Sequence, residues 1–262
     1  MTVAAALHGK SILSEDALTS TVLGLLSYLP PHRGILGWLR KARPWHANVA
    51  PLRFPVDSKV SVAYWPNTSS WGIPDALIVA ESQGGVHAIL MEAKFESLKS
   101  QWEETKEPEA VPGDQLARYW EALADGSFLA PFLPLNSRCH ARSLIYVTAD
   151  HTPPKAELRE SLARSRDPKK ADNLYWLSWR NAWELAQIPG EASSPESRVI
   201  VDLGAYLDAL ELTPYRGFAI EGFMRPVGPA RWTFSPKVDF RRASRRGEVH
   251  DGRWRFRIRR GR

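Results

Sequence analysis

One cysteine, Cys139, stands in a chain of 262 residues. A lone thiol excludes an internal disulfide framework and any cysteine-based zinc cluster, and it fits a reducing cytoplasm. Long hydrophobic runs are also missing. The longest apolar stretch, Ala17 to Leu29, is broken by Thr and Ser and is too short to span a bilayer. Met1 to Lys10 shows no secretory signal, so the expectation is a soluble cytoplasmic protein with no membrane partner. There is no G-x-S-x-G elbow, Walker loop or dinucleotide fingerprint, which removes the commonest nucleophile and phosphate-cradle chemistries. The seven histidines are scattered, and Cys139-His140 with His151 matches no zinc spacing. No internal repeat and no low-complexity segment is visible.

What is present begins with enough apolar content, 44%, to bury a full core as one large domain, or as one domain and an appendage. The most informative stretch runs from Trp71 to Phe95. Pro74-Asp75 opens an apolar run through Ala80, Gln83-Gly84-Gly85 supplies turn chemistry, and Val86 to Phe95 returns as a second apolar run. Strands this apolar are buried on both faces, where charge is expensive. Yet Asp75 sits at the start of the first, and Glu92 and Lys94 sit near the end of the second. With period-two alternation Glu92 and Lys94 share one face and Ala93 takes the other. Two carboxylates and an ammonium at one end of a buried hairpin are costly unless they bind something.

Upstream, Ser14 is a candidate N-cap for a helix from Glu15 to Leu29, stopped by Pro30-Pro31. Leu18, Val22, Leu25, Leu26 and Leu29 form its apolar stripe, and Glu15 projects within about 40° of it. Glu15 is therefore either a site residue or a complement to the helix dipole. Downstream, Asp114 is a candidate N-cap for a helix closed by Gly126, with Leu116, Tyr119, Trp120 and Leu123 on its apolar face. Gln115 and Tyr119 are neighbours one turn apart on it. A short helix over Gly34 to Ala42, an irregular connection from Pro44 to Pro55 and a half-buried strand from Asp57 to Trp65 precede the central hairpin. A strand from Arg142 to Thr148, a helix after Pro153-Pro154, a strand from Asn173 to Trp179, a helical turn or two over Asn181 to Gln187 and a helix from Glu196 to Leu212 complete the body. Three strands in sequence followed by strand–helix alternation predict a mixed α/β fold, a central mixed sheet flanked by helices.

Pro74-Asp75 followed by Glu92-Ala93-Lys94 resembles the signature of the PD-(D/E)XK nuclease superfamily, the restriction-endonuclease-like fold. The resemblance covers roughly Ser11 to Ser178 in element order. It implies a metal-dependent phosphodiester hydrolase using Mg²⁺, or Mn²⁺ as a substitute. Asp75, Glu92 and the Ala93 carbonyl would be the ligands, and Lys94 would orient or deprotonate the attacking water. An early helix in that superfamily often brings a Glu to the metal, which is the role the resemblance implies for Glu15. Gln115 and Tyr119 resemble the Gln-x-x-x-Tyr motif of its RecB-like branch, where the pair positions the substrate and the carboxylates. Otherwise Gln115 is a surface residue and Tyr119 a core one.

The expected organisation is a nuclease-like domain over residues 1–212 and a Gly-, Pro-, aromatic- and Arg-rich extension over 213–262. The formal charge of +6 lies in that extension. Lys237 to Arg262 holds eleven Lys and Arg against Asp239, Glu248 and Asp251, leaving about −2 on the rest. Arg253, Arg255, Arg257 and Arg259 alternate with Trp254, Phe256 and Ile258. Basic groups interleaved with aromatics suit a nucleic-acid backbone or an acidic protein partner, or else form a solubilising tail. Lys99, in the polar segment after the hairpin, could meet a phosphate. The function expected is a DNA endonuclease of a bacterial defence, restriction, repair or transposition system, DNA being preferred to RNA. Its specificity would come from a dimer or a partner protein. The alternative is a catalytically silent DNA-binding or scaffolding subunit with the same fold.

Overall fold

Ser14 opens the first helix, α1 (Glu15–Ser27), by accepting the Ala17 amide on its side-chain oxygen at 3.1 Å. Pro30 and Pro31 follow its end, and a short helix α2 (Ile35–Leu39) comes next. The computed structural model describes residues 14–95, 114–135, 137–165, 172–187 and 194–213. The strands are β1 (Arg43–Pro44), β2 (Lys59–Tyr64), β3 (Ala76–Ser82), β4 (Gly85–Ala93), β5 (Cys139–Thr148) and β6 (Leu174–Ser178). Helix α3 (Gln115–Asp125) joins β4 to β5, and α4 (Lys155–Arg164) joins β5 to β6. Helices α5 (Arg180–Leu185) and α6 (Pro195–Ala209) follow.

The six strands form one sheet in the order β1-β6-β5-β4-β3-β2. β4, β5 and β6 run parallel, while β3 pairs antiparallel with both β4 and β2. Parallel neighbours need a crossover, which α3 and α4 supply; the β3–β4 pair needs only its tight turn. Helices cover both faces, as the unbroken burial of β4 from Ala88 to Ala93 requires. On one face Ile78, Ile89, Met91, Ile145 and Leu177 pack against α1, α2, α5 and α6. On the other Leu77, Leu90, Leu144 and Trp176 pack against α3 and α4. Leu18, Val22 and Leu26 are completely buried on α1. At roughly 1.5–3 kcal/mol for each, this packing more than intrinsic propensity holds that helix in place.

Two elements depart from the sequence expectation. Pro44, read as the start of an irregular connection, and Arg43 before it pair antiparallel with Tyr175 and Trp176 and so begin the sheet. Proline cannot donate to a ladder and is tolerated there because β1 is an edge strand; two residues are also too few to show alternation. A 3-10 turn over Ser127–Phe132 was not anticipated either, because Gly126 (φ +68) ends α3 but leaves the next turn's geometry open. Lys99, the Arg residues of the C-terminal extension and everything beyond residue 213 lie outside the described residues. Among those described, no helix is long and apolar enough to cross a membrane.

Candidate metal centre

The sheet's topology gathers the site. Because β3 and β4 are antiparallel, the residue just before β3 lies beside the end of β4, and the Asp75 amide donates to the Met91 carbonyl at 3.1 Å. The Asp75 carboxylate then turns across the strand end, and its Oδ2 accepts the Ala93 amide at 2.7 Å. Glu92, one residue earlier on β4, is almost completely buried. Glu15 arrives from the first turn of α1, on the opposite side of the chain's sequence. Its two oxygens accept from the Lys94 ammonium at 2.9 Å and from the Phe95 amide at 3.2 Å. The start of α1 is thereby bonded to the backbone that leaves β4.

Glu15, Asp75 and Glu92 each offer an oxygen, and these oxygens all lie within 4.8 Å of one another. Lys94 Nζ is 2.6 Å from Glu92 Oε1 and 2.9 Å from Glu15 Oε1. Side-chain exposure is 2% for Glu92, 9% for Lys94 and 24% for Glu15, so the cluster is buried and Glu15 is its wetter edge. The electrostatics follow. Burial pushes the Asp75 carboxyl up to about 6, against the Ala93 hydrogen bond and the Lys94 charge, with Glu15 and Asp16 adding repulsion. Burial also raises Glu92 well above the usual carboxylate range; Asp75 adds to this and Lys94 opposes it. For Lys94, burial works against the ammonium, but Glu92 and Glu15 outweigh it and hold the group above the ordinary lysine value. Lys94 is therefore a cation in this arrangement. Acting as a base would need the opposite shift.

Three carboxylates and one ammonium leave two negative charges when all are ionised, which one divalent cation would balance. The donor set fits a hard ion: all three groups are carboxylates, with no sulfur or imidazole. Oxygens held at about 2.0–2.1 Å from one octahedral Mg²⁺ lie roughly 2.9 Å apart when adjacent and about 4.2 Å when opposite, so the three groups stand near enough to draw in around one ion.

Gln115 and Tyr119 reach the segment that leads into Asp75. The Gln115 amide donates to the Tyr119 hydroxyl at 3.3 Å, and that hydroxyl donates to the Ile73 carbonyl at 3.0 Å. Ile73 is two residues before Asp75, so the phenol fixes the segment that aims the carboxylate. Gly72 (φ +103) lets this segment pass close to the ring: a Cβ there would meet Tyr119 Cε1 at 3.4 Å on a backbone that side chains rarely adopt. Buried Thr68 closes the loop by donating its hydroxyl to the Gly72 carbonyl at 2.6 Å. Burial raises the Tyr119 phenol, and the nearby Glu92 charge raises it further, which places the ring beside the acidic pocket.

Sequence reading missed one neighbour of the site. Tyr146 lies opposite Glu92 in the β4–β5 register and is buried, with its hydroxyl donating to Glu157 Oε2 at 2.9 Å. Burial, then Glu157, then Glu92 and Glu15 raise its phenol, so it too lies within the field of the cluster. The segment Arg142–Thr148 looks like an ordinary apolar strand; only the parallel register brings Tyr146 beside Glu92.

The described residues thus form a mixed α/β fold with a buried acidic cluster compatible with a PD-(D/E)XK-like nuclease and suited to a divalent metal. Comparison with models of known protein families, with curated proteins and with solved structures gives no match.

Proposed function

We propose that this chain is a Mg²⁺-dependent nuclease that hydrolyses phosphodiester bonds, acting on DNA as an endonuclease. One observation carries the reading. Carboxylates from the start of α1, the entry to β3 and the end of β4 converge on one pocket, with a lysine ammonium on two of them. The order Pro74-Asp75, Glu92-Ala93-Lys94 supports it, as does the position of these residues at the ends of adjacent central strands. A binding-only descendant has no need of such a pocket, since burying like charges together costs stability.

In this reading Asp75 and Glu92 would hold the ion directly, with the Ala93 carbonyl as a further ligand, and Glu15 would bind it directly or through water. When bound, a divalent cation supplies charge neutralisation at the phosphoryl group and makes a nearby water more acidic. The protein's own groups do the rest. The Ala93 amide holds the Asp75 carboxylate in one orientation. Lys94, kept protonated by Glu92 and Glu15, orients the attacking water and stabilises negative charge developing on the phosphate. Tyr119 and Gln115 keep the Ile73–Asp75 segment in register with β4. Lys99 and Arg253, Arg255, Arg257 and Arg259 are assigned to contacts with the nucleic-acid backbone or a partner, and a homodimer or partner protein to target selection.

The test is incubation of the purified protein with supercoiled, linear and single-stranded DNA and with RNA, in Mg²⁺, Mn²⁺ or EDTA, beside Asp75→Ala and Lys94→Ala. Metal-dependent cleavage falling at least about a hundredfold in both variants is the expected result. Nucleic-acid binding without cleavage under every condition would point instead to the silent subunit. Removal of residues 237–262 should weaken binding and flatten its salt dependence if the basic extension touches phosphates.

A further inference from the structure

Two non-glycine residues among those described have a positive φ: Trp65 at +47° and Glu211 at +55°. Glu211 is unremarkable, since it follows α6 and a left-handed residue is a common way to end a helix. Its neighbour Leu212 returns an amide to the Leu207 carbonyl at 2.9 Å, as such an ending requires. Trp65 has no such reason. It follows the last residue of strand β2 and precedes Pro66, and a bulky side chain in this region of backbone space is a true outlier. It is also 40% exposed, so the indole forgoes much of the stabilisation that burial would give. Strain of this kind persists where a function uses it.

Its position says which function. The Trp65 amide donates to the carbonyl of Asp75 at 3.1 Å, so this residue is the backbone partner of a carboxylate in the acidic cluster. Its ring lies against Tyr64, with centroids 5.6 Å apart, and this neighbour helps to set its orientation. Ile73, two residues before Asp75 on the adjoining segment, is 59% exposed. Asp75 is thus flanked through its backbone by two large apolar side chains left in water, in a body whose net charge is otherwise slightly negative. The exposed parts of both side chains are apolar, so neither attracts a phosphate.

We infer that Trp65 is a stacking platform for an unpaired base next to the scissile phosphate, so that the enzyme prefers nucleic acid that is single-stranded at the cut. The inference rests on the nuclease reading of the acidic cluster. An aromatic face recognises any base once it is unstacked from its neighbours, whereas an intact duplex presents only base edges and phosphates.

The experiment measures binding and cleavage of a labelled single-stranded oligonucleotide and of a duplex of the same length by the full chain. Wild type is compared with Trp65→Gly and Trp65→Phe; binding is read in Ca²⁺ and cleavage in Mg²⁺. Glycine relieves the backbone strain, so the Trp65→Gly protein should melt at the same temperature or higher. Its preference for the single strand over the duplex should fall about tenfold, in the range that one stacked base supplies. Phenylalanine should restore most of that preference. A Trp65→Gly protein whose preference is unchanged, or one that loses single strand and duplex equally, overturns the inference while leaving the nuclease intact. A wild-type protein that neither binds nor cuts either probe overturns both.

Discussion

The two ends of strand β4 bury polar groups in opposite ways. At its beginning, His87 lies over Phe54, and its Nε2 shares a hydrogen bond with Ser143 Oγ at 2.9 Å. Burial alone pushes His87 down to about 4, so the imidazole is neutral at physiological pH and the pair carries no charge. At the other end, from Glu92 five residues further on, Glu92, Asp75, Glu15 and Lys94 meet in one cluster, and burial drives both Asp75 and Glu92 upward. The first arrangement is how a fold keeps polar side chains inside at little cost: discharge them and pair them. The second gathers three carboxylates about one ammonium, where burial disfavours the charged forms of Asp75 and Glu92. Since the same strand contains the economical solution, the acidic cluster is not something the fold needed.

The sharpest way to break this contrast is Lys94→Met. Removing the ammonium leaves buried carboxylates without their cation, so the protein in EDTA should lose about 3–5 kcal/mol in a denaturant titration. Added Mg²⁺ should recover part of that loss if a divalent ion takes up the same charge. A variant as stable as wild type in EDTA would mean that the pocket carries no buried charge to balance.

The His87 end should respond to pH instead of metal. Its folded value of about 4 lies below the usual histidine value near 6.5, so the unfolded chain binds the proton more readily between these limits. The contribution of His87 to stability therefore rises with pH across that window and is lost as pH falls from 6.5 to 4, while Asp75, raised to about 6, contributes in the opposite sense there. The loss should be on the order of 1–3 kcal/mol, independent of Mg²⁺, and largely absent in His87→Gln. Denaturant titrations at pH 7, 5.5 and 4.5 read it directly, and an unchanged slope in the variant would assign the acid sensitivity elsewhere.

Tyr119→Phe is the smallest of the three changes. It removes the hydroxyl that bonds the Ile73 carbonyl but keeps the ring that Gly72 crosses. The expected stability cost is about 1 kcal/mol. Mg²⁺ affinity, measured by calorimetry or metal-dependent melting, should fall about tenfold or somewhat more because Asp75 loses its support from behind. A loss of stability with unaltered metal affinity would reduce Tyr119 to a core residue.

How much of this could be read in advance varied with the range of the interaction. Asp75, Glu92 and Lys94 were legible because a tight turn joins two apolar runs, and antiparallel pairing then puts the ends of both beside each other. Glu15 was half legible. Its helical stripe showed that it faced the core, yet nothing local said that the core at that point was the end of β4. Tyr119 stood out as an apolar-face residue, but its hydroxyl's bond to Ile73 depends on how α3 lies across the loop. Tyr146, Trp65's backbone strain and the short strand Arg43–Pro44 gave no local signal at all.

Composition and periodicity alone determined that this is a mixed α/β chain with charged residues at the ends of central, buried strands. Those properties come from alternation, helix caps and turn residues, which act over a few neighbours along the chain. Only the tertiary structure decided that residues 15, 75 and 92 meet within one pocket and that Lys94 is held there as a cation. It also decided that Trp65 stands beside Asp75 on a strained backbone. Such outcomes depend on which strands become neighbours in the sheet and on how little water remains between them, and no short stretch of sequence carries that information.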